Sequence, residues 1–267
     1  MNILLVGCGR MGSAMVKGWL GQPAVKRIDI IEPHYTPAAT DARIHVHADG
    51  QGWAAQKITP DIVVLAVKPQ SMNEINTTLP PLVAEGVPVL SIAAGITLTK
   101  LASAWGAKRP IIRSMPNTPG AIGQGVTGYI CNNNIIEKHK VIAVSLLNAL
   151  GKSYELTVEE QIDAVTAISG SGPAYVYNFI EALEEAGKNV GLPADLAAAL
   201  ARQTVIGSAA LLDQSGESPT NLRIAVTSPK GTTEAALNVL GGNQALFTLL
   251  KEAVLAAYRR SKELANA

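Results

Sequence analysis

Aromatic side chains are scarce in this chain of 267 residues: two Phe, six Tyr and three Trp make up 4%. So few rings cannot build the stacking platforms that bind single-stranded nucleic acid. Charge is also sparse. Lys and Arg number 22 against 21 Asp and Glu, for a formal net charge of +1. Without a basic excess there is no general attraction for polyanions, so no nucleic-acid partner is expected. Long apolar runs are missing too. The longest strand-like run, residues 62–67, is far short of the ~20 residues that span a bilayer, so no membrane segment is expected. The first residues lack the basic, apolar, small-residue order of a secretion signal, which points to the cytoplasm. Two cysteines, Cys8 and Cys131, cannot make a disulfide framework, and without a CxxC pair no metal site is expected.

What remains is aliphatic: 48% of the chain is apolar, much of it Ala. At ~150 residues per domain the length suits two modest domains. The apolar excess is expected at a subunit interface. Residues 2–6, 27–31, 61–67, 87–92 and 111–114 read as buried parallel strands, being short, β-branched and apolar on both faces. Helical segments are expected at 11–20, 50–56, 70–83 and 98–105, with a last strand at 126–131 and a closing helix at 135–150. Alternating strands and helices predict an α/β, Rossmann-type parallel sheet over residues 1–153. From residue 154 to 267 strand-like runs vanish, and segments 174–190, 194–212 and 243–265 read as helices. Residues 194–212 carry almost no charge, and a helix apolar on nearly every side must be buried on every side. About 110 residues cannot achieve that alone, so a second chain is expected to cover this all-α half.

The chemistry-bearing motifs begin with Gly7-Cys8-Gly9-Arg10-Met11-Gly12, directly after a strand and opening a helix. In that context the glycines permit a tight turn, approach of a pyrophosphate, and close helix–strand packing. Amides at the helix start then bind phosphate. Glu32, ending the second strand, is placed to bind a ribose 2′-hydroxyl, whereas His34 could meet a 2′-phosphate. Ala66-Val67-Lys68-Pro69, Ser91-Ile92-Ala93-Ala94-Gly95 and Arg113-Ser114-Met115-Pro116-Asn117-Thr118-Pro119 all leave strands at the carboxyl edge, where open parallel sheets bind ligands. The Asn117 amide could orient a nicotinamide or a substrate. In the helical half, Ser169-Gly170-Ser171-Gly172-Pro173-Ala174 precedes a long helix. Thr227-Ser228-Pro229-Lys230-Gly231-Thr232-Thr233-Glu234 offers free amides of Gly231, Thr232 and Thr233 as a carboxylate-binding nest.

In this order, these motifs resemble those of pyrroline-5-carboxylate reductases along essentially the whole chain. The resemblance implies a Rossmann domain followed by a helical substrate-binding and dimerisation domain, and a homodimer that can build a decamer. It implies reduction of 1-pyrroline-5-carboxylate to proline by NAD(P)H, with NADPH the expected donor and NADH the other candidate. Val6, Gly7, Cys8, Gly9, Arg10, Met11, Glu32, His34, Ala66, Val67, Lys68, Pro69, Ala93, Ala94 and Asn117 are the expected cofactor residues. Glu159, Gly231, Thr232 and Thr233 are the expected substrate residues, with Thr233 contacting the ring nitrogen. One departure stands out: the family usually has glycine where this chain has Lys230, so a positive φ there would strain the backbone. The competing readings are a β-hydroxyacid-type dehydrogenase and a non-catalytic dinucleotide sensor. Against the first, no lysine follows the SGSGPA motif until Lys188. Against the second, no basic reading helix is visible.

Overall fold

The computed structural model describes residues 1–33 and 41–266, so the expectation for His34 lies outside the described residues. The chain forms two compact units, Met1–Ser171 with Ala257–Ala267, and Gly172–Ala256.

The first unit holds one eight-stranded sheet: β1 (Asn2–Val6), β2 (Arg27–Ile31), β3 (Ile44–His47), β4 (Ile62–Leu65), β5 (Val89–Ser91), β6 (Ile111–Met115), β7 (Gly125–Cys131) and β8 (Gly151–Glu155). Their order is β3-β2-β1-β4-β5-β6-β7-β8. Only the β6–β7 pair is antiparallel. Its helices are α1 (Arg10–Leu20), α2 (Gly50–Ala54), α3 (Met72–Thr78), α4 (Leu98–Trp105), α5 (Glu137–Asn148) and α6 (Gln161–Val165). Successive residues of each central strand point to opposite faces. Ile3, Leu5, Ile28 and Ile30 accordingly pack with Met15 and Trp19 of α1 and Leu146 and Leu147 of α5. Leu4, Val6, Val63 and Leu65 pack with Trp53, Met72, Leu101 and Trp105 from α2, α3 and α4. Burial on both faces is why these strands read as unbroken apolar runs.

Three details differ from expectation. Residues 126–131 are not the last strand, because β8 follows and pairs parallel with β7. β8 reads GKSYE and is largely exposed on the sheet edge, so no apolar run marks it. β3 reads IHVH on the opposite edge and is unmarked for the same reason. The single helix expected over 70–83 is broken into α3 and flanking 3₁₀ turns, the second of which starts at Pro80. A proline lacks the amide that would continue the helix.

The second unit is all helical: α7 (Gly172–Asn189), α8 (Ala194–Ser215), α9 (Pro219–Ala225), α10 (Thr232–Gly241) and the first half of α11 (Ala245–Asn266). Among its described residues the buried side chains are Ala197 and Ala201, while Tyr177, Phe179, Val239 and Phe247 are exposed. This unit does not bury its own apolar surface, as the sequence pattern anticipated. Among the described residues no helix is long and apolar enough to cross a membrane.

Asp29 of β2 is buried and accepts hydrogen bonds from Arg27 Nε at 2.7 Å and Nη2 at 2.8 Å. His47 Nε2 lies 2.7 Å from its Oδ1. Burial raises the Asp29 pKa, but the bonds and charges of Arg27 and His47 together hold it below the ordinary 3.8. A depressed carboxylate stabilises the fold above its unfolded value and loses that contribution as pH falls through the folded one. Asp29→Asn should therefore cost about 1.5–3 kcal/mol near pH 5. Urea midpoints of wild type and variant should converge as pH drops below 3.8; a gap that stays constant to pH 2 contradicts this.

Candidate active site

Strands β2, β1, β4, β5 and β6 run parallel side by side, so their carboxyl ends share one edge. The chain leaves β1 toward α1 on one face and β4 toward α3 on the other, the switch point where such sheets open a crevice. The glycine loop lies there. Gly7 has φ +86°, and its amide donates to the Ile31 carbonyl at 3.0 Å. A Cβ at Gly12 would lie 2.7 Å from the Gly7 carbonyl oxygen, so α1 sits as close to the loop as backbones allow. A Cβ at Gly9, by contrast, would meet nothing within 4 Å. Gly9 is the N-cap of α1, and the first amides of a helix have no intrahelical acceptor. An open backbone beside free amides fits a pyrophosphate.

Arg10 and Met11 begin α1, and Cys8 is buried beneath the loop. Glu32 follows β2 directly. Its Oε2 accepts from the Cys8 amide at 3.3 Å, which holds a carboxylate against the glycine loop. Ala66 continues from β4, with its amide donating to the Val6 carbonyl at 2.8 Å. Val67, Lys68 and Pro69 follow it, and Lys68 is exposed. Ala93 is buried just beyond β5, and its amide reaches Ser91 Oγ at 3.3 Å. All of these residues gather on one edge of the first unit.

Asn117 is on that edge but is committed inward. Its Oδ1 accepts from the Val126 amide at 2.9 Å, and its Nδ2 donates to the Ser169 carbonyl at 3.1 Å. The π-turn at Thr166–Gly170 places that carbonyl. Asn117 therefore ties the MPNTP loop to the SGSG segment. Glu159 is likewise engaged: its Oε1 accepts from buried Arg113 Nη1 at 2.6 Å and from the Leu98 amide at 2.7 Å, capping α4. Sequence reasoning missed both roles, because the partners lie 9 to 61 residues away.

In the second unit, Gly231 is the N-cap of α10. Its amide donates to the Ser228 carbonyl at 3.0 Å, which corrects the expected nest: Thr232 and Thr233 supply its free amides. A Cβ at Gly231 would lie 2.5 Å from Ser228 Oγ and 3.0 Å from the Ser228 carbonyl oxygen, so a larger residue would have to turn the Ser228 side chain aside and crowd its backbone. Lys230 does adopt positive φ, +57°. Its amide donates to Glu234 Oε2 at 2.7 Å, a cap reaching back across the first turn of α10. A glutamate three residues after an N-cap is the signal that marks this in the sequence.

Comparison with known proteins extends both halves. A family model described as pyrroline-5-carboxylate reductase dimerisation matches residues 159–264. One described as NADP oxidoreductase coenzyme F420-dependent matches residues 2–95. The chain is 38% identical to the pyrroline-5-carboxylate reductase of Pseudomonas aeruginosa, over 99% of this chain and 97% of that one. It is 35% identical to the Pisum sativum enzyme of the same name, over 97% and 94%. Among solved structures, the pyrroline-5-carboxylate reductase of Coxiella burnetii matches with TM-score 0.88 and 33% identity, over 99% and 98%. A Plasmodium falciparum pyrroline carboxylate reductase with NADP bound matches with TM-score 0.82 and 30% identity, over 99% and 98%.

Left-handed backbone costs a side-chain-bearing residue about 1–2 kcal/mol, and glycine's extra freedom when unfolded returns about 0.4–1 kcal/mol of that. Lys230→Gly should thus raise stability by about 0.5–1 kcal/mol, whereas Lys230→Ala should not. Chemical denaturation of the three proteins checks this, and a destabilised glycine variant contradicts it.

Proposed function

The chain belongs to the pyrroline-5-carboxylate reductase family, and we propose that it reduces 1-pyrroline-5-carboxylate to L-proline, the last step of proline biosynthesis. The observation that carries this reading is relationship along nearly the full chain to enzymes of that name, at 38% identity in one case. The β-hydroxyacid-type dehydrogenase and sensor readings gain no support from these relatives. The reaction uses a pyridine nucleotide, which when bound supplies hydride to the imine carbon.

The chain's own residues bind and orient. The start of α1, from Gly9 to Met11, receives the pyrophosphate. Val6, Gly7, Cys8, Ala66, Val67, Lys68, Pro69, Ala93 and Ala94 line the nicotinamide path with small side chains and backbone. The amides of Thr232 and Thr233 donate to the substrate carboxylate, and the exposed Lys230 ammonium adds attraction for it. The Thr233 hydroxyl oxygen accepts from the protonated ring nitrogen. A protonated imine is already electrophilic, so positioning is the main task, and it can supply roughly 7–11 kcal/mol. Asn117 and Glu159 serve this as framework.

NADPH is the donor we assign, supported by the NADP bound in the Plasmodium relative. The specific observation favouring NADH is Glu32 against the Cys8 amide, since a carboxylate there repels a 2′-phosphate. Residues 154–267 are assigned as the substrate-binding and dimerisation region, supported by the family match over 159–264, with residues 154–171 and 257–267 of it belonging to the first compact unit. A cytoplasmic homodimer, further assembled into a decamer, completes the reading.

Thr233→Ala should lower kcat with pyrroline-5-carboxylate by about 10²-fold or more while the nicotinamide cofactor still binds. Near-normal turnover in that variant overturns the assignment. Glu32→Gln should raise kcat/KM for NADPH by about tenfold, the equivalent of one lost charge repulsion. Initial rates with both nucleotides measure this, and an unchanged NADPH-to-NADH ratio contradicts a role for Glu32.

A further inference from the structure

The loop between β5 and α4, residues 92–97, is braced from a direction that the motif does not announce. Gly95 has φ +74°, and a Cβ there would lie 3.0 Å from the Leu264 carbonyl oxygen and 3.3 Å from its carbon. The last turns of α11 therefore press main chain against main chain on the residue that follows Ala93 and Ala94. Gly95 is required twice, for its dihedral angle and for this approach. A second tie fixes α11 in place: Ser261 Oγ donates to Asp163 Oδ1 at 2.6 Å, and both residues are buried. Asp163 belongs to α6, which starts two residues after Glu159. Glu159 in turn caps the far end of the same loop through the Leu98 amide. Leu264 also shares a groove with Pro69, Gln70, Ala94 and Gly95.

We infer that Ser261 and Leu264 are positioning residues, which hold residues 93–95 in the shape that receives the cofactor. The inference rests on the reading of Ala93 and Ala94 as cofactor residues. Mechanically, the loop is clamped at Leu98 by Glu159 and at Gly95 by Leu264, leaving Ala93 and Ala94 between a fixed strand and a fixed turn. Releasing Ser261 lets the last turns of α11 withdraw from Gly95. The loop then samples more conformations, and the competent fraction falls. The effect should appear in cofactor affinity, not in the chemical step.

The test compares wild type with Ser261→Ala, Ser261→Thr and Gly95→Ala as full-length folded dimers. NADPH affinity is read from fluorescence titration, and kcat separately from turnover. Ser261→Ala should weaken NADPH binding by about three- to ten-fold, as expected for one lost hydrogen bond, with kcat at saturating NADPH within about twofold. Ser261→Thr keeps the hydroxyl and should restore affinity. Gly95→Ala should weaken binding at least as much as Ser261→Ala. Unchanged NADPH affinity in both Ser261→Ala and Gly95→Ala overturns the inference, as does a kcat loss with affinity intact. Binding is read without pyrroline-5-carboxylate, so a wild type that binds NADPH but cannot reduce that imine defeats the functional reading alone.

Discussion

The approach of α1 to the end of β1 is the constraint on which the carboxyl edge depends. A Cβ at Gly12 would lie only 2.7 Å from the Gly7 carbonyl oxygen, so glycine alone lets α1 come this close. That close approach fixes the start of α1 at the end of β1, beside the crevice between β1 and β4. Positive φ at Gly7 turns the chain, and its amide on Ile31 ties the turn to β2. Glu32, one residue further along, is thereby brought to the Cys8 amide. One backbone contact thus sets both the start of α1 and the place of the Glu32 carboxylate beside it.

The second unit handles its turn differently. There Lys230 occupies left-handed backbone, which a side chain resists. Glu234 offsets part of that cost by accepting from the Lys230 amide. Gly231 lets the Ser228 hydroxyl pack where a Cβ would otherwise crowd it. The amides of Thr232 and Thr233, in the first turn of α10, are left without intrahelical acceptors. Around the sheet, rigidity comes from polar groups with distant partners: Asn117 with Val126 and Ser169, Glu159 with Arg113 and Leu98.

Central strands were legible because burial on both faces leaves apolar runs that are too short for helices and rich in β-branched residues. Edge strands β3 and β8 were not, since each is half solvated and carries His, Lys or Ser. The glycine loop and the Gly231 turn were legible as motifs, because glycine spacing and a helix start are local features. The engagement of Asn117 and Glu159 was not, because the sequence around either residue says nothing about a partner dozens of positions away. The strain at Lys230 could be posed from sequence as a question of φ, and the coordinates answered it. The helical half was legible through its deficit: an Ala- and Leu-rich stretch with too few residues to bury itself, seen as exposed Tyr177, Phe179 and Phe247.

The central claim is that this scaffold positions a cyclic imine for reduction, with hydride as the only group transferred to carbon. The most direct measurement incubates purified protein with pyrroline-5-carboxylate and reduced nicotinamide, following absorbance while quantifying proline. One proline should form for each nicotinamide oxidised, with no comparable oxidation by a panel of keto acids. Oxidation with keto acids and none with pyrroline-5-carboxylate would contradict it.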